Sequence, residues 1–312
     1  MKYIPVIGLE IHAELLTKSK VFCGCQNEFG GGANERVCPR CSGMPGTLPI
    51  LNQSVVAQAV RAGFALNCDI NEYSAFDRKN YFYPDLPKAY QITQFFHPIC
   101  TNGYIALKDT KIRINRIHIE EDAGKLVHDE YEGISMADYN RCGVPLIEIV
   151  TEPDFRTIEE VQSFVSDIAL RLKYAGVCDA KLEQGSLRVD VNISLMPYGS
   201  DVFGTRAEIK NLNSIKAIGR AIAYEIERQS EILDQGGKVV QETRRFNDNH
   251  GDTKALRSKE EAHDYRYFPE PDIPPVFLSR ETISEIQKSM PMMPDFMMMR
   301  LFVKAYSKFS CC

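Results

Sequence analysis

No stretch of this chain approaches the roughly 18 uninterrupted apolar residues that a membrane-spanning helix requires. The opening segment, MKYIPVIGLEIHAE, lacks the basic and apolar regions of a secretory signal, so the expectation is a cytoplasmic protein with no membrane partner. A surplus of positive charge is missing too: 37 Lys and Arg stand against 42 Asp and Glu, a net charge of −5 with histidine neutral. Such a balance excludes a surface that grips polyanions everywhere, and any nucleic acid must meet a local basic patch. The G-x-G-x-x-G and Walker patterns are absent, which argues against a dinucleotide fold or a P-loop. There is no serine nucleophile elbow, papain-like cysteine signature, internal repeat or low-complexity linker.

What is present is 312 residues, 44% hydrophobic and 25% charged, enough for one large core or two ordinary ones. Residues 3–13 alternate, with Ile7, Leu9 and Ile11 on one face and Gly8, Glu10 and His12 on the other, the period of a half-buried strand. KIRINRIHIE at 111–120 alternates as well, but its apolar phase slips between Ile114 and Ile117, as a β-bulge would make it do. Beyond the slip, Arg116, His118 and Glu120 share a face. VPLIEIV at 144–150 reads as a buried strand with one carboxylate, Glu148, which requires a partner. LRVDVNISL at 187–195 sets Arg188, Asp190, Asn192 and Ser194 along one face.

Helical patterns open at Ser54, at Thr157, where Glu160 completes a capping box, and near Asn213. Residues 77–93 read as a long aromatic loop, and QETRRF (241–246) and DYRYFPEPDIPP (264–275) as loops or edge segments. Strands without regular strand–helix alternation predict an α+β domain with a largely antiparallel sheet.

Three sets of residues carry chemistry. Glu10, His12, Glu120, Glu121, Asp122 and Glu148 are acids and a histidine that suit a Mg²⁺ and ATP site if the strands bring them together; from spacing alone the leading reading is surface acids plus one paired buried glutamate. Cys23, Cys25, Cys38 and Cys41 form Cys-x-Cys, twelve residues, then Cys-x-x-Cys, in a glycine-rich segment. Paired thiolates at that spacing suit the closed tetrahedral shell of a structural Zn²⁺. Arg206, Lys210, Lys216, Arg220, Arg244, Arg245, Arg257 and Arg266 are a basic set whose default reading is a solvated face, and which also suits contacts to the phosphates and unpaired bases of a nucleic acid.

These segments resemble the B-subunit family of the glutamyl/aspartyl-tRNA amidotransferases. The resemblance is carried by VIGLEIHAEL (6–15), FDRKNYFYPDLPKAYQITQF (76–95), HIEEDAGK (118–125), DYNRCGVPLIEIVTEPD (138–154), KLEQGSLRVDVNIS (181–194), GTRAEIKNLNS (204–214), QETRRF and DYRYFPEPDIPP. Together they span most of the chain to about residue 280.

The resemblance implies a cradle fold related to glutamine synthetase. It also implies an ATP-dependent amidation of misacylated glutamyl-tRNA(Gln) or aspartyl-tRNA(Asn) through a phosphorylated carboxylate. Carried over position by position, Mg²⁺ ligands fall on Glu10, His12, Glu120, Glu121 and Glu148, and Lys79 falls near the route by which ammonia arrives. Arg188, Asp190 and Asn192 fall in the lining of the same cavity. Arg206, Lys210, Arg244 and Arg245 are the candidate tRNA contacts.

A partner amidase, the A-subunit, tethered by a small C-subunit, would supply ammonia, which makes a heterotrimer the expected assembly. The expected organisation is a catalytic cradle over 1–290 with the zinc loop at 23–41, then the start of a truncated helical domain over 291–312. A ligase for a small carboxylic acid and a non-catalytic tRNA-binding scaffold are the competing readings.

Overall fold

The computed structural model describes residues 2–129, 131–258 and 264–294. The helical domain expected from residue 291 therefore lies, from residue 295 on, outside the described residues.

The alternation over residues 3–13 becomes β1 (Tyr3–Glu14), the middle of a nine-stranded sheet. One neighbour is β10 (Leu187–Pro197) and the other β9 (Pro145–Thr151), both antiparallel. Outward from β9 come β6 (Lys111–Glu121), β5 (Cys100–Ala106) and β2 (Asp69–Ile70). Outward from β10 come β11 (Ala207–Leu212), β12 (Glu242–Asn247) and β13 (Asp252–Ser258). All neighbours run antiparallel except β11 and β12. The fold is α+β with a mostly antiparallel sheet, as the alternation predicts. The register of β6 on β9 shifts between Ile114 and Arg116, where the apolar phase slips.

One face of this sheet is a continuous apolar layer of Ile7, Leu9, Ile11, Ile117, Ile119, Ile147, Ile149, Val189, Val191 and Ile193, all buried. Removing each such side chain from water contributes about 1.5–3 kcal/mol, so the layer forces every opposite, polar side chain to the other face. Three helices belong to the same core: α1 (Gln53–Ala65), α2 (Ile158–Tyr174) and α3 (Ile215–Asp234). Asn52 caps α1, the capping box of Thr157 and Glu160 starts α2, and Ser214 caps α3.

Residues 77–93, read from sequence as one loop, are instead the facing halves of β3 (Tyr73–Asn80) and β4 (Tyr90–His97) joined by a short connection. Both prolines, with Asp85 and Lys88, belong to the turn, while the flanks pair and carry Asp77, Arg78 and Lys79 in β3. The other edge of β3 pairs with β14 (Phe268–Pro269) and β15 (Val276–Phe277), completing a second, four-stranded sheet. Arg78 secures it, bonded to Glu270 at 2.7 Å and Asp272 at 3.0 Å. A separate antiparallel pair is formed by β7 (Lys125–Asp129) and β8 (Ile134–Asp138).

The four-stranded sheet is bound to the end of β6. Pairing of β5 with β6 stops at Cys100–Ile117, and beyond it the side chain of Gln94 accepts from Ile119 N at 3.0 Å while Gln91 donates to the Glu121 carbonyl at 2.8 Å. Two buried backbone groups are thereby satisfied where no strand continues. QETRRF is also a correction: β12 is an interior strand of the large sheet, covered by β13.

Candidate functional site

On the polar face, register decides which groups meet. His12 stands opposite Glu148 of β9, and Glu148 opposite His118 of β6. His12 Nε2 lies 3.2 Å from Glu120 and 3.6 Å from Glu148, and His118 Nε2 lies 3.3 Å from Glu148. Burial acts to raise the Glu148 carboxyl, but His118 and His12 outweigh it and hold it well below the usual range. Burial likewise pushes the His12 imidazole down, yet its bonds to Glu120 and Glu148 hold it up at about 10. One ligand atom each from His12, Glu120 and Glu148 lies within 4.8 Å of the others. The two carboxylates fit a hard divalent cation such as Mg²⁺, with water or phosphate oxygens in its shell, and His12 can join as a ligand by giving up its proton as the cation binds.

A second acidic group adjoins this one. Glu10, Asp190 and Glu208 also bring one oxygen each within 4.8 Å of one another. Glu10 and Asp190 are register partners, and Glu208 of β11 stands opposite Asn192. Asn192 donates to Glu10 at 3.0 Å, and Lys210 bridges Asp190 and Glu208. Burial, then the Glu148 and Glu208 charges, raise the Glu10 carboxyl. A cavity of about 460 Å³ opens beside Glu10 and Asn192, with Gly8, Thr205 and Arg206 in its wall. Arg188, the register partner of His12, forms an ion pair with Asp122 at 3.0 Å and lies within electrostatic reach of Glu120.

The second sheet supplies an aromatic wall. Lys79 Nζ lies 4.8 Å from the Tyr265 ring and 5.8 Å from Tyr81. Phe95 stacks on Tyr267 with centroids 4.1 Å apart. Burial opposes the charge on Lys79, but Glu120, the Tyr267 and Tyr265 hydroxyls and Glu148 raise its pKa above the ordinary value.

Glu121 does not join the cluster. Its side chain projects from the opposite face of β6, ion-paired with Lys88 and accepting from Ile92 N at 3.0 Å. That pair borders a cavity of about 210 Å³ whose far wall is the cysteine loop. Gly43 of the loop, at φ +69°, lies so close that a Cβ would stand 3.1 Å from Lys88 Cα.

The four cysteines converge, with all Sγ atoms within 4.8 Å and Cys38 to Cys41 at 3.9 Å. A tetrahedral ion with Zn–S bonds of about 2.3 Å sets its sulfurs about 3.8 Å apart, so the quartet fits Zn²⁺. Hydrogen bonding from Cys23 pulls the Cys41 thiol below its usual range, against the effect of burial.

The basic set divides. Arg206 and Arg245 are exposed, and Arg245 stands opposite Lys210. Lys216 is exposed, and Arg220 pairs with Asp248. Arg244, only 8% exposed, is turned into the protein, 3.0 Å from Glu225 and 2.7 Å from Thr253. Arg266 pairs with Asp264, and the side chain of Arg257 lies outside the described residues.

Sequence reasoning left His118, Glu208 and Lys88 out of the candidate site. His118 carried a signal, sharing alternation phase with Glu120, and Glu208 shares phase with Lys210. Nothing local distinguishes Lys88. Among the described residues, no helix is long and apolar enough to cross a membrane.

A family model described as the GatB/GatE catalytic domain matches residues 5–284. The chain is 61% identical over 311 residues to the B-subunit of the aspartyl/glutamyl-tRNA(Asn/Gln) amidotransferase of Ruminiclostridium cellulolyticum, covering 98% of this chain and 64% of that protein. The B-subunit from Caldicellulosiruptor saccharolyticus is 59% identical over 299 residues, covering 95% and 62%. That of Thermodesulfovibrio yellowstonii is 54% identical over 310 residues, covering 98% and 65%. The chain thus spans a little under two thirds of the length of these curated relatives.

Proposed function

This chain belongs to the GatB/GatE catalytic-domain family, and from that premise we propose that it is the catalytic part of the B-subunit of a tRNA-dependent amidotransferase. It acts on glutamyl-tRNA(Gln), aspartyl-tRNA(Asn) or both, uses ATP, and takes ammonia from a partner amidase, the A-subunit, held with a small C-subunit in a heterotrimer. The observation that supports this most is the convergence of His12, Glu120 and Glu148 from three strands, with Lys79 and its aromatic neighbours within electrostatic reach of the two carboxylates.

The chemistry follows from the poor electrophilicity of a carboxylate. A side-chain carboxylate oxygen of the aminoacyl group attacks the γ-phosphorus of ATP, and ADP leaves with the bonding pair. Ammonia then attacks the acyl carbon, loses a proton, and phosphate departs to leave the amide. His12, Glu120 and Glu148 would hold Mg²⁺, which when bound neutralises phosphate charge. Lys79 presents a cation within the electrostatic reach of Glu120 and Glu148, suited to the oxygens of a transferred phosphoryl group. Tyr81, Tyr265 and Tyr267, with Phe95, keep water from an acyl phosphate that hydrolysis would waste. Asn192 orients Glu10 through its 3.0 Å bond. Arg206, Lys210 and Arg245 offer the tRNA positive charge, and Arg244 has no free face to offer it.

The test supplies the chain with ATP, Mg²⁺, mischarged glutamyl-tRNA and ammonium chloride, bypassing the amidase, beside a Glu148→Gln control. Glutaminyl-tRNA formed by the wild type alone supports the reading. Amidation of free glutamate without tRNA points instead to a small-molecule ligase. Equal product from wild type and variant, in the chain or in the assembled complex, makes the chain a scaffold.

A further inference from the structure

The side chain of Lys20 is fully buried, at 0% exposure. It lies in the segment between β1 and the cysteine loop, and its backbone N–H is bonded to the Cys25 carbonyl at 2.9 Å. Its Nζ donates to the Arg36 carbonyl at 2.7 Å, reaches the Tyr139 carbonyl at 3.5 Å, and lies 3.6 Å from Cys41 Sγ. Among the described residues it forms no ion pair with a carboxylate. An ammonium withdrawn from water without an anion is costly by several kcal/mol, and two carbonyl dipoles offset only part of that. The anion it faces is sulfur.

Four thiolates around one divalent zinc leave a net charge of about −2 on the centre. We propose that Lys20 is a positioning residue of the cysteine site, placing a compensating positive charge against Cys41. Its carbonyl bonds hold the loop, through Arg36, to the segment that follows β8, through Tyr139. Other bonds join the loop to β8 and to the segment after it: Asn34 donates to the Ala137 carbonyl at 3.0 Å, and Asn140 donates to the Gly32 carbonyl at 2.7 Å. Those bonds need no charge, so the positive charge of Lys20 is what is specific to the sulfur site. The proposal rests on the reading that the four cysteines bind zinc.

The experiment compares the full chain with Lys20→Met, which keeps the aliphatic bulk and removes the charge. Zinc release to a chromogenic chelator is followed in time, and melting temperature is measured zinc-loaded and after chelation under reducing conditions. Loss of a partner around a metal's ligands typically weakens retention 10–100-fold, so release from the variant should be at least tenfold faster. Zinc-loaded variant should melt lower than zinc-loaded wild type, while the two metal-free forms melt alike or the variant melts higher, its unpaired buried charge being gone. Equal release rates overturn the proposal, and so does an equal melting loss in both forms, since that is what a packing role alone produces. Should Lys20→Met not fold, Lys20→Gln, which still donates to carbonyls without charge, carries the same comparison. A wild type without nearly one zinc per chain overturns the zinc reading and the proposal together, whereas a zinc-loaded wild type beside an indifferent variant overturns the Lys20 assignment alone.

Discussion

Glu120 and Glu121 are consecutive on β6 and face opposite sides of the sheet: Glu120 lies 3.2 Å from His12 Nε2, and Glu121 is ion-paired with Lys88. A strand turns successive side chains through half a revolution, so one carboxylate enters the histidine cluster and the other the boundary of the cysteine-loop cavity.

Substitution should separate the two. Glu120→Gln is expected to lower amide formation about 100-fold or more and to weaken Mn²⁺ binding, with Mn²⁺ standing in for Mg²⁺. Glu121→Gln is expected to leave Mn²⁺ affinity within about twofold, because its side chain lies on the opposite face of β6, its Oε1 accepting from both Lys88 and Ile92 N. Electron paramagnetic resonance of free Mn²⁺ measures both, and equal losses would remove the separation of the two roles.

Arg244 and Arg245 should differ in kind. Arg244→Ala leaves the fully buried Glu225 without one of its cations, and urea unfolding should report a loss of about 3 kcal/mol. Arg245→Ala, an exposed change, should stay within about 0.5 kcal/mol and act on tRNA affinity instead. A reversed order of stabilities would contradict the buried placement of Arg244.

The cysteine quartet should behave as one unit. Cys38→Ser is expected to abolish stoichiometric zinc and to lower the melting temperature by several degrees, and a second change, Cys41→Ser, should add little to that loss because the site is already gone. Additive losses would mean that the four sulfurs pack independently.

Glu14 gives a pH signature. Burial and the charge of Asp122 raise its carboxyl from 4.5 to about 7, against Arg188 and Arg141. Between these values the folded state binds more protons than the unfolded state, so stability falls as pH rises from about 4.5 to 7 and levels off above. Glu14→Gln lacks that loss. Relative to wild type the variant should gain about 1 kcal/mol at pH 8, after allowance for solvent screening, and nothing at pH 4.5. Urea midpoints at the two pH values check this, and a pH-independent difference would exclude Glu14 as the titrating group.

Much of the framework was legible in the amino acids. Alternation marked β1, β10 and the slip within β6, and capping residues marked the start of α2, because these depend on neighbours within a few positions. The cysteine spacing fixed which sulfurs meet, since short loops carry both pairs. The sequence also determined that Glu148 required a partner, a carboxylate amid apolar neighbours being untenable alone.

What tertiary structure alone decided is who that partner is. His12 and His118 reach Glu148 only because β9 lies between β1 and β6 in a particular register, and Glu208 joins Glu10 and Asp190 only because β11 borders β10. Arg244 and Arg245 look alike in sequence, and β12, paired on both edges, gives one to Glu225 and the other to solvent. Periodicity specifies a face for each strand, but strand order and register come from burying all the apolar faces in one core, a constraint on the whole chain that no local window contains.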